Sequence, residues 1–217
     1  MTLCAAASAS AQVAGGVTLQ NDYRSRGYSL SGAQSVAVAD VSYDHASGLY
    51  LNGSVIGGHN AWNDVAVLGV IENVGYARRI SSRLTVDGGV VHSEYFERYG
   101  SNGTGRYTEA YLGLASRDLS ARVGYSPDYF RHGAKTLYSE VNGGLDTIAS
   151  LRLNAHLGYL SCLDMPDDRR CSGHYDWRLG VSRQIQRLEL RAAVSGVQPG
   201  GRFRPDPALV FGASWTF

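Results

Sequence analysis

Cys162 and Cys171 flank the stretch "LDMPDDRR". In an exported chain two thiols at this spacing are expected to close a disulfide. A ring of about ten residues would add roughly 2.5–3 kcal/mol by restricting the unfolded chain, and its use would be to stiffen a loop. A metal or redox centre needs closer spacing or adjacent histidines. Asp164, Asp167 and Asp168 offer oxygens to Ca²⁺, but such a cluster reads more simply as solvated surface. No metal and no cofactor is expected. The chain has no H-E-x-x-H, G-x-S-x-G, P-loop or G-x-G-x-x-G, and "GTGRYT" lacks the third glycine. The six histidines, His45, His59, His92, His132, His156 and His174, are scattered. A lipid-cleaving barrel would need a nucleophilic serine beside a histidine on its outer wall. By strand phase His156 points inward, so no enzyme is expected.

Charged residues at alternating positions carry more information. In "SLRLNAHLGYL", Leu151, Leu153, Ala155, Leu157 and Tyr159 fall on one face, and Arg152, Asn154, His156 and Gly158 on the other. "DWRLGVS" and "RLELRAAVSG" alternate in the same way, with Trp177, Leu179, Val181 and Leu188, Leu190, Ala192, Val194 on their apolar faces. That is the period of a β-strand with one oily side. The polar sides then share Asp22, Arg24, Asp40, Asp87, Glu109, Arg122, Glu140, Arg152, Asp176, Arg178, Glu189 and Arg191. Seven acids and five arginines in one interior would line a water-filled lumen or pair into a plug. Mixed signs argue against strong charge selectivity.

Twelve such segments emerge, at 16–24, 33–44, 48–57, 64–77, 83–93, 106–116, 119–126, 135–146, 150–160, 173–184, 187–196 and 207–217. The fourth, "DVAVLGVIENVGY", is apolar on both faces and its orientation stays open. No helical stripe outlasts two turns. Connections alternate in length: "HAS", "RRISS", "SRD", "TIA" and "QIQ" are short, while "RSRGYSLSG", "EYFERYGSNGTGR", "SPDYFRHGA", "SCLDMPDDRRCSG" and "VQPGGRFRPD" are long. An antiparallel up-and-down sheet puts the two sets at opposite rims, an asymmetry of outer-membrane barrels with short periplasmic turns and longer extracellular loops. Ten residues at about 3.3 Å each, tilted about 45°, span roughly 23 Å, close to the barrel's apolar belt of about 25 Å. The chain ends "ALVFGASWTF", with Phe217, Trp215 and Phe211 on one face. A terminal aromatic on that face needs a partner strand, so strand 12 is expected to pair with strand 1. Trp215, Phe217, Trp177 and Tyr159 are expected in aromatic girdles. The class is all-β: a transmembrane antiparallel barrel of about 12 strands. A soluble β-sandwich is the competing class.

With 20 basic and 19 acidic residues, there is no electrostatic case for nucleic acid. The start, "MTLCAAASASAQVAGG", carries an A-x-A pattern at Ala9 and Ala11. Residues 1–11 therefore read as the tail of an export signal, and 12–217 as one barrel domain.

The stretch "NDYRSRGYSLSGAQSVAVADVSYDHASGLYLNGSVIG" resembles the TorF family of porins. Asn21, Asp22, Tyr23, Arg26, Gly27 and Ser29 match an early family element, and Ser47, Gly48 and Tyr50 a later one; Ser25 stands where the family has an aromatic. The resemblance implies an exported outer-membrane barrel and names no substrate. Expected partners are outer-membrane lipid and lipopolysaccharide, the barrel-assembly machinery through the strand ending at Phe217, and a small-molecule solute. The expected function is a porin-like channel for passive diffusion of small solutes across the bacterial outer membrane, with little charge selectivity. A closed barrel acting through its outer loops in adhesion, and a lipid-modifying barrel enzyme, are the alternatives. "DYRSRG" admits both a solute contact and a local structural clasp.

Overall fold

The computed structural model describes residues 11–60, 63–96, 105–147, 150–164, 173–199 and 207–217. Its strands are β1 (Gln12–Gln20), β2 (Arg24–Ser25), β3 (Tyr28–Ser29), β4 (Val36–Asp44), β5 (Leu49–His59), β6 (Val65–Arg79), β7 (Thr85–Tyr95), β8 (Gly105–Ala115), β9 (Leu119–Ser126), β10 (Lys135–Asp146), β11 (Leu151–Asp164), β12 (His174–Ile185), β13 (Leu188–Pro199) and β14 (Ala208–Thr216). All but β2 and β3 join in one closed antiparallel barrel of twelve strands, each paired with its neighbours in the chain. β14 closes the ring on β1, with Trp215 opposite Val17 and Ala213 opposite Leu19. Phe217 continues the ladder: its N–H donates to the Gly15 carbonyl at 3.0 Å, and its own carbonyl accepts from Gly15 at 3.2 Å. The aromatic terminus is held in this way.

Alternation places the apolar side chains outside. Val13, Leu19, Val41, Leu51, Leu112, Leu145, Leu157, Leu179, Leu209 and Phe211 are all exposed on the outer wall. Trp215 and Phe217 stand at the short-turn rim. Tyr159, stacked on Tyr175 at 4.3 Å, and Trp177, lying over Gly196, sit toward the opposite rim. The buried apolar cluster lies within the barrel at the long-loop end. There Val36, Val38, Ile56, Leu68, Tyr95 and Tyr107 of the inner wall meet Tyr23, Leu30, Tyr129 and Phe130 from two inward-folded loops. These side chains form an oily plug in part of the mouth.

Four sequence expectations shift. The first strand is Gln12–Gln20 and not 16–24. The Asn21 side chain ends it by clasping β14, accepting from Phe211 N–H at 2.7 Å and donating to the Leu209 carbonyl at 3.0 Å. Asp22 therefore lies in a loop and Arg24 in the short strand β2, and neither is on a face of the barrel wall. Arg26 and Gly27, within the long connection "RSRGYSLSG", form the tip of the β2–β3 hairpin. β11 runs on to Asp164, so Cys162 pairs with Thr136 within the barrel wall instead of lying in a loop. Cys171, with Asp167 and Asp168, lies outside the described residues, as does the stretch 1–10 assigned to the export signal. The ambiguous fourth segment owes its double face to a register shift opposite Ile56 and Gly57. Such a bulge inserts one residue and reverses the phase of the strand beyond it.

Gly48 turns β4 into β5 at φ +99°, and a β-carbon there would collide with the Ala77 carbonyl oxygen. Gly143, in β10, has nothing nearer than 3.9 Å. Gly48→Ala should lower the unfolding free energy by about 1–3 kcal/mol. Gly143→Ala should leave it within about 0.5 kcal/mol of wild type or raise it slightly. Urea unfolding midpoints of the detergent-solubilised barrel check both; equal midpoints would refute the assigned turn.

Candidate functional site

The barrel's interior is built around a hairpin that enters it. Ser25 and Tyr28 pair across Arg26 and Gly27, whose φ angles are +48° and +80°. Positive φ at both central residues is the type I′ turn that suits a two-residue hairpin. Arginine is a poor choice for such a position, and its surroundings offset the cost. Gly27 is pressed on the β12–β13 wall, where a β-carbon would come within 2.7 Å of Val197 and 2.9 Å of Asp176. On the other side Arg26 Nη2 donates to Glu109 Oε2 on β8 at 2.6 Å. The hairpin thus bridges the lumen from wall to wall.

The Arg26 guanidinium lies 3.9 Å from the centre of the Tyr138 ring, 4.9 Å from Tyr129 and 5.4 Å from Tyr107. Its side chain is 9% exposed and that of Glu109 is 7%. Burial alone would lower the guanidinium's pKa, but the facing Tyr129, Tyr107 and Glu109 outweigh it and hold it above the usual arginine range. Burial pushes the Tyr129 hydroxyl up to about 12, against the pull of Arg26. A buried ion pair of this kind breaks at a high cost when one partner is removed.

Asp22 organises the base of the hairpin. Its carboxylate, 2% exposed, accepts from Arg24 Nη1 at 2.8 Å and from Ser29 Oγ at 2.5 Å, with Ser31 Oγ at 3.1 Å. Arg24 Nη2 donates to the Gly27 carbonyl at 2.5 Å, and Leu30 N–H to the Tyr23 carbonyl at 2.7 Å. Of the two readings of "DYRSRG", these bonds make the structural clasp. They engage every residue of the early motif: Asn21 at the rim, Asp22, Tyr23 and Ser29 in the clasp, Arg26 and Gly27 at the tip.

Two further clusters line the lumen beyond the hairpin. In one, His156 lies 2.8 Å through Nε2 from Asp176 Oδ1 and 2.8 Å through Nδ1 from Asn142 Oδ1. Tyr138 donates toward the same Asp176 at 3.1 Å, and Glu140 is 3.9 Å from the imidazole. The other is nearer the short-turn rim. The Tyr50 hydroxyl lies 3.2 Å from Asp87 and within hydrogen-bond reach of Tyr111, whose hydroxyl lies 2.9 Å from Asn73 Oδ1, so two phenolic protons are shared among three contacts. Arg122 donates to Asp87 at 3.2 Å and lies over the Tyr111 ring at 4.2 Å. Two cavities remain around these groups, of about 480 and 510 Å³, and both are lined by Arg122, Glu140 and Asn142.

Of the twelve charged residues assigned inward, Asp22, Arg24, Glu109, Arg122, Glu140, Asp176 and Arg178 line the first cavity and Asp87 lines the second. Asp40 accepts from Ser54 at 2.6 Å away from both. Arg152 pairs with Asp146 at 2.6 Å and Asp118 at 3.6 Å at the short-turn rim. Glu189 and Arg191 are 3.7 Å apart on β13, and Arg191 bonds Ser214. Sequence reasoning missed Tyr50, Tyr107, Tyr111 and Tyr138, because tyrosine suits an oily outer face and a polar inner one equally well. Their phase within each strand was the available signal. Arg26 carried none beyond its motif.

Comparison with solved structures shows the same fold. The KdgM porin aligns over 94% of this chain and 99% of its own, at TM-score 0.58 and 14% identity. The NanC porin aligns over 93% and 98%, at 0.55 and 12%, and the COG4313 outer membrane channel from Pseudomonas putida F1 over 97% and 96%, at 0.56 and 11%. No curated protein matches the sequence. These neighbours support the porin-like barrel that the early motif implies, but the sequence match carries a different family name from TorF. A family model described as a bacterial protein of unknown function (Gcw_chp) matches residues 4–197, and the chain belongs to that family.

Proposed function

We propose that this barrel spans the bacterial outer membrane and passes small polar solutes through its lumen. One observation carries the reading: a closed wall with an apolar exterior surrounds two polar cavities that share Arg122, Glu140 and Asn142 along the barrel's length. An exposed oily wall of this extent is at home in acyl chains, and a closed sheet leaves no backbone group unpaired there. The likeness to channel structures supports the same reading. The hairpin, which runs from the β12–β13 wall to Glu109, narrows the path, so the solutes are small. Both charge signs line the cavities, so selectivity between cations and anions is weak.

In this reading residues 1–11 are the end of an export signal. Cys162 and Cys171 close a disulfide across the β11–β12 loop in the oxidising space outside. The assembly machinery engages the strand ending at Phe217, and lipid and lipopolysaccharide surround the wall. Transport requires no catalysis, and we assign none.

Fractionated cells should yield the protein in the outer membrane, with a gel mobility that changes on boiling. A chain that dissolves without detergent and migrates identically in both states would refute the membrane assignment. In planar bilayers the purified protein should give small, weakly selective conductance steps. Replacing residues 24–29 by a short glycine linker should enlarge them; silence in both proteins would reject conduction. Glu109→Gln leaves Arg26 buried without its counter-ion and should cost about 3–5 kcal/mol, while Arg26→Met with Glu109→Gln should recover most of that loss. Urea unfolding in detergent measures each.

A further inference from the structure

On the outer wall three polar side chains stand in a row across neighbouring strands. Glu72 on β6 is paired in register with His92 on β7, and His92 with Thr108 on β8. Each points outward, because its chain neighbours line the lumen: Ile71 and Asn73, Val91 and Ser93, Tyr107 and Glu109. Apolar residues flank Glu72 along its own strand. Val74 and Tyr76 lie on one side of Glu72, and Val67 and Val65 on the other; Val90 precedes His92 on the outer face of β7, and Glu94 follows it, in register with Arg106 on β8. Glu72 is thus inside the belt, and His92 and Thr108 border a second outward pair, Glu94 and Arg106, on the long-loop side. Ionisable groups on this face are costly in lipid and ask for a partner. His92 Nδ1 has one, sharing a hydrogen bond with Thr108 Oγ1 at 2.8 Å. Among the described residues, no hydrogen bond or ion pair engages Glu72 or the remaining nitrogen of His92.

We propose that this row is the centre of a two-fold interface between two copies of the barrel. The inference rests on the membrane reading above. A two-fold axis parallel to the barrel axis and passing between β6 and β7 sets Glu72 of each copy against His92 of the other. A self-complementary patch is the requirement of an isologous contact. The His92 Nε2–H donates to the facing Glu72 carboxylate, while Thr108 fixes the imidazole from behind. Both polar groups are then satisfied without water. The flanking positions permit the approach: Gly53 pairs with Glu72 on one side, and Ala110 follows Thr108 on the outer face of β8.

The outer wall also sets a hydroxyl, Thr108, beside an imidazole, the arrangement a lipid hydrolase would need. Among the described residues no ion pair joins Glu72 to His92, so no acid–imidazole–hydroxyl chain is assembled, and the second copy accounts for the row better than a substrate does.

The test is the oligomeric state of the full chain in mild detergent and in lipid nanodiscs, by light scattering and native mass spectrometry. Wild type should be a dimer. Glu72→Leu and Glu72→His should each raise its dissociation constant about tenfold or more, the scale of a lost hydrogen-bonded charge pair. Glu72→His combined with His92→Glu should restore the dimer, because the reciprocal pair is rebuilt. Retained heat-modifiable migration shows that every variant is folded. A monomeric wild type, a dimer indifferent to Glu72→Leu, or a double variant no better than Glu72→His overturns the interface while leaving the membrane reading intact. A chain soluble without detergent overturns that reading instead.

Discussion

Closure is the constraint on which the rest of this molecule depends. A sheet with an oily outer face cannot leave an edge open in lipid, where no water satisfies its N–H and C=O groups. The pairing of β14 with β1 removes the last edge, and the exchange of two hydrogen bonds between Phe217 and Gly15 carries it to the final residue. Gly15 is small for a reason: a β-carbon there would meet the Phe217 ring at 2.7 Å. The terminal aromatic is therefore a structural part of the seam. Twelve strands, once closed, enclose more space than side chains from the wall alone can fill. The inward-folded loops take up part of that space, and they form the constriction.

The hairpin deals with that space through two kinds of bond. Near its base the contacts are short and local, within the stretch from Asp22 to Ser31. At its tip the contacts are long-range, from Arg26 to Glu109 and from Gly27 to the β12–β13 wall. Such contacts exist only once distant strands have come together. A buried arginine beside one carboxylate and three tyrosines brings little net stability by itself, since desolvation consumes much of the attraction. Its value is geometric: it fixes where the hairpin crosses and so fixes the shape of the cavities on either side.

How much of this was legible depended on the range of the interaction. Strand period and loop length are local properties, and the run from Leu119 to Asp146 could be read from them directly. The pairing of β14 with β1 followed from one local oddity, an apolar face reaching the last residue. The displaced first strand was hidden by Ala14, Gly15 and Gly16, whose small side chains blur alternation. Cys162 reads as a loop residue because Ser161 and Asp164 around it are polar, although Asp164 is anchored to Lys135 across the wall. Nothing within "DYRSRG" shows that its arginine crosses the barrel, because its partner lies 83 positions away.

Tyrosine and the bulge mark the deeper limit. A binary pattern assigns a residue by its polarity, but Tyr50, Tyr111 and Tyr138 use both ends: the ring lies over Gly75, beneath Arg122 or against Arg26, while the hydroxyl enters a hydrogen-bond network. In a lumen that is partly wet, that dual character is an advantage, and polarity alone points the wrong way. The bulge opposite Gly57 acts on a whole strand. One extra residue sends Leu68 inward to the plug and Glu72 outward to the wall. The same irregularity thus places an apolar side chain in the plug and a carboxylate on the outer wall, coupling how the barrel is filled to what its outside presents.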